Sequence, residues 1–251
     1  MIKHGALTLS DREGDGSLWV ISCEKDAKEV DIPGKVDGMS VMGVGEYAFC
    51  DCAELTRVGF PEAELADYIS GVPFSVIEEH AFMNCVSLVE AILPESVISV
   101  GHGAFLGCKS LVRARVPAIT YLAAYAFARC PALSDINPTS SLSEGVFSEC
   151  VSLREYKIPA GTEDICEDAF ESCEGLSEMI IPSSVRRIEA LAFRGCASLA
   201  RVVFEEPSGW REVNSYRRED IPLDLTSPER NAEMLSRMDF DDGVIAWERG
   251  E

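Results

Sequence analysis

Residues 169–188 read AFESCEGLSEMIIPSSVRRI, and residues 81–100 read AFMNCVSLVEAILPESVISV. Both stretches have phenylalanine second, cysteine fifth, leucine eighth and proline fourteenth. The pattern of the first eight positions, AFxxCxxL, recurs in AFCDCAEL (48–55), AFLGCKSL (104–111), AFARCPAL (126–133) and AFRGCASL (192–199), and with valine in place of alanine in VFSECVSL (146–153). A unit that recurs seven times in 251 residues indicates a repeat protein in which each unit forms one coil.

The spacing of the repeat phenylalanines indicates the kind of coil. The seven positions are Phe49, Phe82, Phe105, Phe127, Phe147, Phe170 and Phe193. Successive positions are 33, 23, 22, 20, 23 and 23 residues apart. Except for the first, these intervals fall within the period of about 20–29 residues that is typical of leucine-rich repeats.

Two further apolar rows accompany the phenylalanines. An aliphatic residue lies five positions before each one, at Val44, Ile77, Val100, Leu122, Leu142, Ile165 and Ile188. A leucine lies six positions after each one, at Leu55, Leu88, Leu111, Leu133, Leu153, Leu176 and Leu199. Beyond the leucine, apolar residues alternate with a period of two until a proline usually follows, which predicts a short strand and then a turn. The shorter segment from phenylalanine to cysteine predicts a helical or 3₁₀ turn.

The unit AFxxCxxLxxxxIPxxVxxI is similar to the BspA-like leucine-rich repeat family. The resemblance covers roughly residues 30–204, and the flanking stretches VDIPGKVDGMSVMGVGEYAF (30–49) and FEEPSGW (204–210) also look like that family. It implies non-catalytic surface or secreted proteins, often bacterial or protozoan, that bind other proteins. It does not imply one particular ligand.

We therefore expect a right-handed leucine-rich-repeat β-solenoid of seven coils with parallel strands and short helical turns. A solenoid needs a cover at each open end. We assign residues 1–47 to an N-terminal cap, 48–204 to the seven repeats and 205–251 to a C-terminal cap. Within the first cap, SLWVISC (17–23) predicts a strand, and EVDIPGKVDG (29–38) predicts a strand and a turn.

The C-terminal cap is expected to contain one short helix. Thr226 and Glu229 have capping-box spacing, and Pro228 falls in the first turn. The helix should run to about Met238 and bury the apolar positions Ala232, Leu235 and Met238. Trp210 and Trp247 are the expected anchors of this cap against the last coil.

The net charge of the chain limits the classes of partner that it can bind. Asp and Glu outnumber Lys and Arg by 43 to 22, giving a net charge of −21. Such a field repels nucleic acid and anionic membrane surfaces, so we expect no nucleic-acid binding. No stretch of the sequence approaches 18 consecutive apolar residues, so we also expect no membrane insertion. The first residues, MIKHGALTLSDREGDG, lack an apolar h-region, which predicts no signal peptide in this sequence. Localisation stays open between the cytoplasm, if Met1 is native, and the surface or secreted placement that the resemblance implies.

The cysteines are expected to be buried free thiols. Seven of the ten recur once per coil, as small interior residues would, and the parallel Cβ vectors of stacked coils disfavour disulfides. We expect no catalytic residues, because the sequence has no GxSxG, HExxH, P-loop or GxGxxG motif. We also expect no cofactor and no metal site. His80 and His102 fall on adjacent coils, where they could contact one metal, but two surface histidines are the favoured interpretation.

Two places are candidates for partner binding. Alternate residues of each strand should point outward, and among them Ile92 and Ile180 are apolar while Arg113, Arg115 and Lys157 are basic. The outward side chains can also satisfy one another as cross-strand ion pairs, for example Glu90 with Arg113. The second place is the insertion in the first coil, around residues 61–74, where Tyr68, Ile69 and Phe74 could provide an apolar contact or belong to an inert loop.

The function that this sequence favours is a non-enzymatic protein-binding repeat module, adhesin-like or scaffold, working as a monomer on a protein ligand. One alternative is a structural or self-assembling repeat unit, which an uncovered end would favour. The other is an enzyme with its site at the irregular first coil or the C-terminal cap, which would need converging polar groups in a cleft.

Overall fold

The computed structural model describes residues 1–12, 14–61, 74–214, 221–238 and 244–250. Two compact units divide the chain, Met1–Asn137 and Pro138–Glu251. In each unit the chain winds as a β-solenoid, whose coils place short parallel strands in register on those of the next coil.

The first unit contains strands that are two to six residues long. In chain order they are β1 (Ile2–His4), β2 (Leu7–Ser10), β3 (Leu18–Cys23), β4 (Glu29–Asp31), β5 (Lys35–Val36), β6 (Met39–Val44), β7 (Arg57–Gly59), β8 (Val76–Ile77), β9 (Glu90–Ile92), β10 (Ser99–Val100), β11 (Arg113–Arg115), β12 (Tyr121–Leu122) and β13 (Asp135–Ile136). One sheet has the order β1-β2-β3-β6-β8-β10-β12, with β5 also pairing with β6. On another side of the coils lie the sheet β13-β11-β9 and the pair β4-β7.

The expected N-terminal cap contains a turn of solenoid of its own. Strand β3 pairs in parallel with β6, and β4 pairs in parallel with β7. The Cys23 N–H donates to the Ala48 carbonyl as the Phe49 N–H donates to the Ala81 carbonyl, so Cys23 occupies the phenylalanine position of this preceding coil. The hairpin β1-β2 then covers the open edge of β3 with an antiparallel strand. The solenoid therefore starts one coil earlier than the phenylalanine repeat predicts.

The described residues of the second unit contain the remaining strands and one helix. They are β14 (Asp164–Ile165), β15 (Glu178–Ile181), β16 (Arg187–Glu189), β17 (Arg201–Phe204), β18 (Trp210–Asn214), β19 (Ile221–Pro222), α1 (Pro228–Arg237) and β20 (Val244–Arg249). Strands β14 and β16 pair in parallel, as do β15 and β17. Strand β20 then pairs antiparallel with β16 and with β18, which closes this end of the unit.

The apolar rows predicted from the sequence form the core. All seven repeat phenylalanines have no exposed surface, and the aliphatic and leucine rows are also buried. In the first unit, successive rings from Phe49 to Phe127 lie 4.6, 5.1 and 5.1 Å apart. In the second, Phe147, Phe170 and Phe193 lie 5.6 and 5.3 Å apart. These spacings are close to that of neighbouring strands, so identical side chains meet between coils.

The segment around each phenylalanine is a run of tight turns, and the expected helical or 3₁₀ turn does not form. The residues two before and two after the phenylalanine have a positive φ, as at Tyr47 (56°) and Asp51 (57°) in the first phenylalanine coil. The same two positions are left-handed in every other phenylalanine coil, at His80 and Asn84, Gly103 and Gly107, Tyr125 and Arg129, Gly145 and Glu149, Asp168 and Ser172, and Leu191 and Gly195. Left-handed residues at these points interrupt any right-handed helix.

The ten cysteines are free thiols, and all except Cys166 are buried. Five of the cysteines that recur once per coil donate a hydrogen bond from their thiol to the phenylalanine carbonyl of the preceding coil, at 3.1–3.2 Å. These donors are Cys85, Cys108, Cys130, Cys173 and Cys196. The prediction of buried free thiols is confirmed for all cysteines except Cys166, which is only partly buried. The once-per-coil thiols also link adjacent coils by weak hydrogen bonds.

The C-terminal end contains the predicted helix. Its N-cap is Ser227, one residue later than the predicted Thr226, and the Ser227 hydroxyl accepts from the Arg230 N–H at 3.4 Å. Ala232, Leu235 and Met238 are buried as expected. Trp210 and Trp247 are also buried and pack near Phe204 of the last coil, at 5.1 and 6.4 Å between ring centroids.

Candidate binding surface

The outward side chains of β7, β9, β11 and β13 form a face that we call the outer face of the first unit. The register places Arg113 between Glu90 and Asp135, and Arg115 beside Ile92. Inward residues such as Ala114 are buried, so each strand alternates between the core and this face. This alternation is the one that the sequence predicts for period-two strands.

The two arginines on this face are paired with one carboxylate. Arg115 donates two hydrogen bonds of 2.7 Å to the carboxylate of Asp135, and Arg113 donates a third at 2.9 Å. These bonds, chiefly those from Arg115, lower the pKa of Asp135 to about 2, and the pKa of Arg113 is raised. The expected basic spot for a partner's carboxylate is thus already occupied by the chain's own Asp135. Arg113 does form a cross-strand pair, but its hydrogen bond goes to Asp135 and not to Glu90.

The neighbouring coil repeats this arrangement. Arg57 on β7 donates to the carboxylate of Glu29 at 3.1 Å and to that of Asp31 at 2.8 and 3.1 Å, and both acceptors lie on β4. The hydrogen bonds to Asp31 and Glu29 raise the pKa of Arg57. Each arginine of the outer face is therefore paired with a carboxylate on an adjacent strand, Arg57 with two of them and Arg113 and Arg115 with one in common.

Apolar side chains stand exposed beside these ion pairs. Ile92 is 45% exposed, and Val89 and Val112, which precede β9 and β11, are 48% and 44% exposed. The Val112 N–H donates to the Val89 carbonyl at 2.8 Å, so these two valines lie directly above one another on adjacent coils. Exposed apolar groups that cluster on one face are more informative than the same groups scattered singly.

The second unit contributes its own candidates. Ile180 on β15 is 59% exposed and lies in register with Val203 on β17. Lys157 is exposed, but its segment forms no strand, so it does not belong to a regular face. Of the two predicted residues in this unit, Ile180 therefore lies on a paired strand, and Lys157 lies outside any strand.

The insertion in the first phenylalanine coil is only partly within the described residues. Tyr68 and Ile69 lie outside them, so their predicted role is untested. Phe74 is within them and only 4% exposed, and its ring packs 5.8 Å from that of Phe60. Phe74 is therefore a core residue, and the expectation that it offers a surface contact is wrong.

A second exposed apolar group was missed by the sequence reasoning. Ile98, Ile119 and Tyr121 are 54%, 78% and 59% exposed at the edge of the sheet that contains β10 and β12. The Tyr121 N–H donates to the Ile98 carbonyl at 2.9 Å, which places the two residues on adjacent coils. Stacking the sequence on the aliphatic row, and not only on the leucine row, would have revealed this group.

Two cavities lie in the described parts of the caps and coils. One, of about 280 Å³, is lined at the C-terminal cap mainly by Met234, Met238, Val244 and Trp247. The other, of about 320 Å³, is lined among others by Arg12 and Glu78, whose side chains pair at 2.6 Å. Neither lining contains a histidine or a cysteine.

One group of described residues has the composition of a metal-binding set. Single ligand atoms of Glu79, His80 and His102 lie within 4.8 Å of one another. The sequence indicated the His80–His102 adjacency but not the contribution of Glu79.

The described residues include no helix long and apolar enough to cross a bilayer.

Comparisons with known proteins agree with this geometry. The BspA type leucine rich repeat region model matches residues 23–144 and 75–200, in six copies. No curated protein matches the chain significantly. Together the two matched ranges cover well over half of the chain and begin at Cys23, within the coil that precedes the first phenylalanine repeat.

Solved structures show the same fold. A leucine-rich repeat protein of T. pallidum, TpLRR, is 22% identical, with 79% of this chain and 90% of that one covered and a TM-score of 0.66. A leucine-rich repeat protein from Bacteroides ovatus is 19% identical over 82% of this chain and 71% of that one, with a TM-score of 0.52. One from Eubacterium ventriosum is 25% identical over 70% and 45%, with a TM-score of 0.55. The repeat pattern, the stacked coils and the family match together show that the chain belongs to the BspA type leucine-rich repeat family.

Proposed function

We propose that this protein is a non-enzymatic module that binds another protein through the outer face of the first unit. The observation that supports this most directly is the cluster of exposed Val89, Ile92 and Val112 beside a closed ion-pair network. Apolar anchors with arginine at their border are the composition that protein interfaces favour.

The charge balance of this face suits burial. Arg115 and Arg113 share the carboxylate of Asp135, and Glu90 lies opposite Arg113 on the other neighbouring strand, so a partner that covers Ile92 would bury no arginine without a carboxylate beside it. Burying an unpaired charge costs several kcal/mol, whereas a paired and hydrogen-bonded group avoids most of that penalty. The partner is then expected to meet this face with apolar groups and hydrogen-bond acceptors more than with a carboxylate.

The scaffold presents this face in one fixed arrangement. Parallel pairing sets the register of β9, β11 and β13, and the inward residues Ala91 and Ala114 are fully buried. A preformed surface loses little conformational entropy on binding, which favours affinity per unit of buried area. The net charge of −21 further favours a partner with a basic border, whose association should slow as salt is added.

Site-specific photocrosslinking tests this proposal. A photoreactive amino acid at position 92 of the tag-free chain should capture a protein from an extract of the native source, which mass spectrometry would identify. The same amino acid at position 109, an exposed lysine in the turn region of the Phe105 coil, serves as the matched control. The partner, once identified, should bind the Ile92→Asp variant at least about tenfold more weakly, corresponding to about 1.4 kcal/mol.

The contrary outcomes are equally specific. Unchanged affinity of Ile92→Asp, together with loss of affinity in Ile98→Asp, would place the interface on the other exposed apolar group. Equal capture from positions 92 and 109 would indicate non-specific adhesion and end the proposal for this face.

The two alternative functions have less support. Self-assembly through strand addition needs an open edge, but the edge strand β1 is only three residues long and β20 pairs with both β16 and β18. An enzyme would need catalytic groups that converge in a cleft. Both described cavities include charged side chains, such as Glu233 and Arg237 in one and Arg12 and Glu78 in the other, but neither lining contains a histidine or a cysteine. Light scattering over a range of concentrations tests the first, with a constant monomer mass expected.

A further inference from the structure

Glu79, His80 and His102 meet on the surface of the first unit because of the coil register. Glu79 and His102 each lie three residues before a repeat phenylalanine, so they occupy the same position on adjacent coils. The His80 N–H donates to the His102 carbonyl at 2.9 Å, which holds the two coils together at this point. Side chains from both coils therefore project into one small region.

The geometry between Glu79 and His80 is unusual for an ion pair. The Nδ1 atom of His80 lies 3.2 Å from Oε1 of Glu79. That nitrogen is buried, yet it makes no hydrogen bond of acceptable geometry. Two ligands on one tetrahedral zinc ion, each about 2.0–2.2 Å from the metal, lie roughly 3.4 Å apart. The observed separation fits two ligands of one ion, and the Nδ1 atom that makes no hydrogen bond is free to be one of them.

The backbone creates the space that this arrangement needs. His80 has a φ of +53°, which turns its side chain toward the next coil. The corresponding residue of that coil is Gly103, and a Cβ there would lie 2.8 Å from Cδ2 and 2.9 Å from Nε2 of His80. Glycine at 103 thus lets the imidazole lie against the adjacent coil, toward His102.

Flanking aromatic rings restrict both imidazoles. Tyr47 stacks on His80 with 5.0 Å between ring centroids and 17° between planes. Tyr125 packs edge-on against His102 at 5.6 Å, and the two imidazoles are 5.3 Å apart. Ligands that are held before the metal arrives lose less entropy when they bind it, which is the role of supporting residues around a metal.

We propose that Glu79, His80 and His102 form a binding site for a divalent transition-metal ion of zinc-like chemistry. Two imidazoles and one carboxylate are ligands that zinc accepts, and the three residues leave a fourth position for water or for an atom of a partner. The ligands come from two adjacent coils, so the ion links those coils. The site is separate from the outer face, and it stands whether or not that face binds a protein.

Cobalt and zinc titrations of the tag-free, metal-stripped full chain test the proposal. We expect one Co²⁺ ion per chain, with visible absorption bands and no near-ultraviolet thiolate-to-cobalt charge transfer, followed by its displacement by Zn²⁺. The absence of the thiolate band separates this site from the ten cysteines. A strong thiolate band, or no binding at millimolar Zn²⁺, would overturn the assignment.

The variants are chosen so that the coils still fold. His102→Ala places alanine where other coils have Ala124 and Ala190, and His80→Asn introduces a residue that tolerates positive φ. Each should weaken Zn²⁺ binding at least about tenfold, while Glu79→Gln should do so to a smaller extent.

His4 provides the matched control, because it is the one histidine of the sequence outside the proposed site and lies on β1. His4→Ala should leave Zn²⁺ affinity unchanged. Circular dichroism of each variant without metal should match that of the parent. Folded His80→Asn and His102→Ala variants that bind Zn²⁺ as tightly as the parent would refute the site.

Discussion

The rings of Phe82 and Phe105 lie 5.1 Å apart, centroid to centroid, with their planes 2° from parallel. Both rings are fully buried, and each belongs to a different coil. This contact between identical residues joins adjacent coils, and it recurs between Phe105 and Phe127. An isolated coil could not bury such a ring, so the stability of the unit depends on contacts between coils.

Replacing Phe105 should therefore be costly. Phe105→Ala removes a ring that packs against two others, and we expect a loss of about 3–5 kcal/mol in the free energy of unfolding. Chemical denaturation monitored by circular dichroism measures this loss. Ile119→Ala, at a position that is 78% exposed, should change stability by less than about 0.5 kcal/mol. Similar losses in the two variants would contradict an interior built from stacked phenylalanines.

Thiol chemistry should distinguish one cysteine from the other nine. Burial raises the pKa of Cys166 to about 11, but Cys166 is the only cysteine with intermediate exposure. Burial also raises the pKa of Cys196 to about 12. In native protein near pH 8, a thiol reagent should label Cys166 first and the others much more slowly, because access and thiolate fraction both limit the rate.

Mass spectrometry of the labelled chain checks this order. Cys166→Ser should abolish the first phase, whereas Cys108→Ser should leave it intact. All ten thiols should react in denaturant, and a count below eight would show that disulfides form after all.

The ion pairs of Asp135 should contribute stability that acid removes. The hydrogen bonds from Arg115 and Arg113 hold the folded-state pKa of Asp135 near 2, below its usual value of about 3.9. A depressed carboxyl pKa stabilises the folded state above the unfolded-state value, and that contribution fades as the pH falls from about 4 toward 2. Asp135→Asn should therefore lower the Tm at neutral pH, and the difference should shrink across this window.

Thermal unfolding at several pH values measures the effect of Asp135→Asn. Salt should reduce it, because the pair is accessible to solvent. Glu90→Gln, on the adjacent strand, is the control and should show a smaller pH-dependent difference. Parallel Tm curves for Asp135→Asn and the parent from pH 7 to 2 would show that the arginines do not stabilise the fold through Asp135.

Asp168 should behave in the opposite sense. Burial, together with Glu171, Glu167 and Glu144, raises the pKa of Asp168 to about 6. Its Oδ1 atom is buried without a hydrogen-bond partner. The folded state then holds a proton that the unfolded state releases, so stability falls as the pH rises from about 4 to about 6.

Asp168→Asn removes this charge and keeps a residue that tolerates the φ of +58°. We expect it to stabilise the protein at pH 7 by about 1 kcal/mol or less, since solvent screens a partly exposed group, and to have little effect below pH 4. Thermal unfolding measures both values. The control Glu174→Gln, at an exposed position, should be neutral at pH 7, and a destabilised Asp168→Asn would exclude the repulsion.

The sequence predicts the interior of this protein better than its ends and surface. The Phe, Leu and aliphatic rows repeat because each side chain packs against the same residue type in the next coil. That repetition can be read from a single sequence. The coil before Phe49 is not visible in the same way, since Cys23 takes the place of the ring and no AFxxCxxL segment marks it. Its signal was the spacing from Cys23 to Phe49, which falls within the repeat period.

The candidate sites were only partly predictable for a similar reason. The alternation along the strands placed Arg113 and Arg115 on one face. Which carboxylate each arginine pairs with depends on the side-chain conformations, and in the structure both pair with Asp135. Phe74 lies at the end of an insertion with no repeat register, so its burial could not be inferred from spacing. The repeat position places Glu79 and His102 on adjacent coils, but the direction of the His80 side chain depends on its positive φ, which the sequence of a non-glycine residue does not reveal.

The two left-handed positions in each coil also limit how the chain can vary. Their occupants range from Tyr47 and Arg129 to Leu191 and glycine, yet none is valine, isoleucine or threonine. β-Branched side chains fit a positive φ poorly, whatever surrounds them. A library of random substitutions screened for folded protein should therefore lose β-branched residues at these corners, whether the corner is buried or exposed. Mutational tolerance in this chain is set by the backbone at the corners and by packing in between.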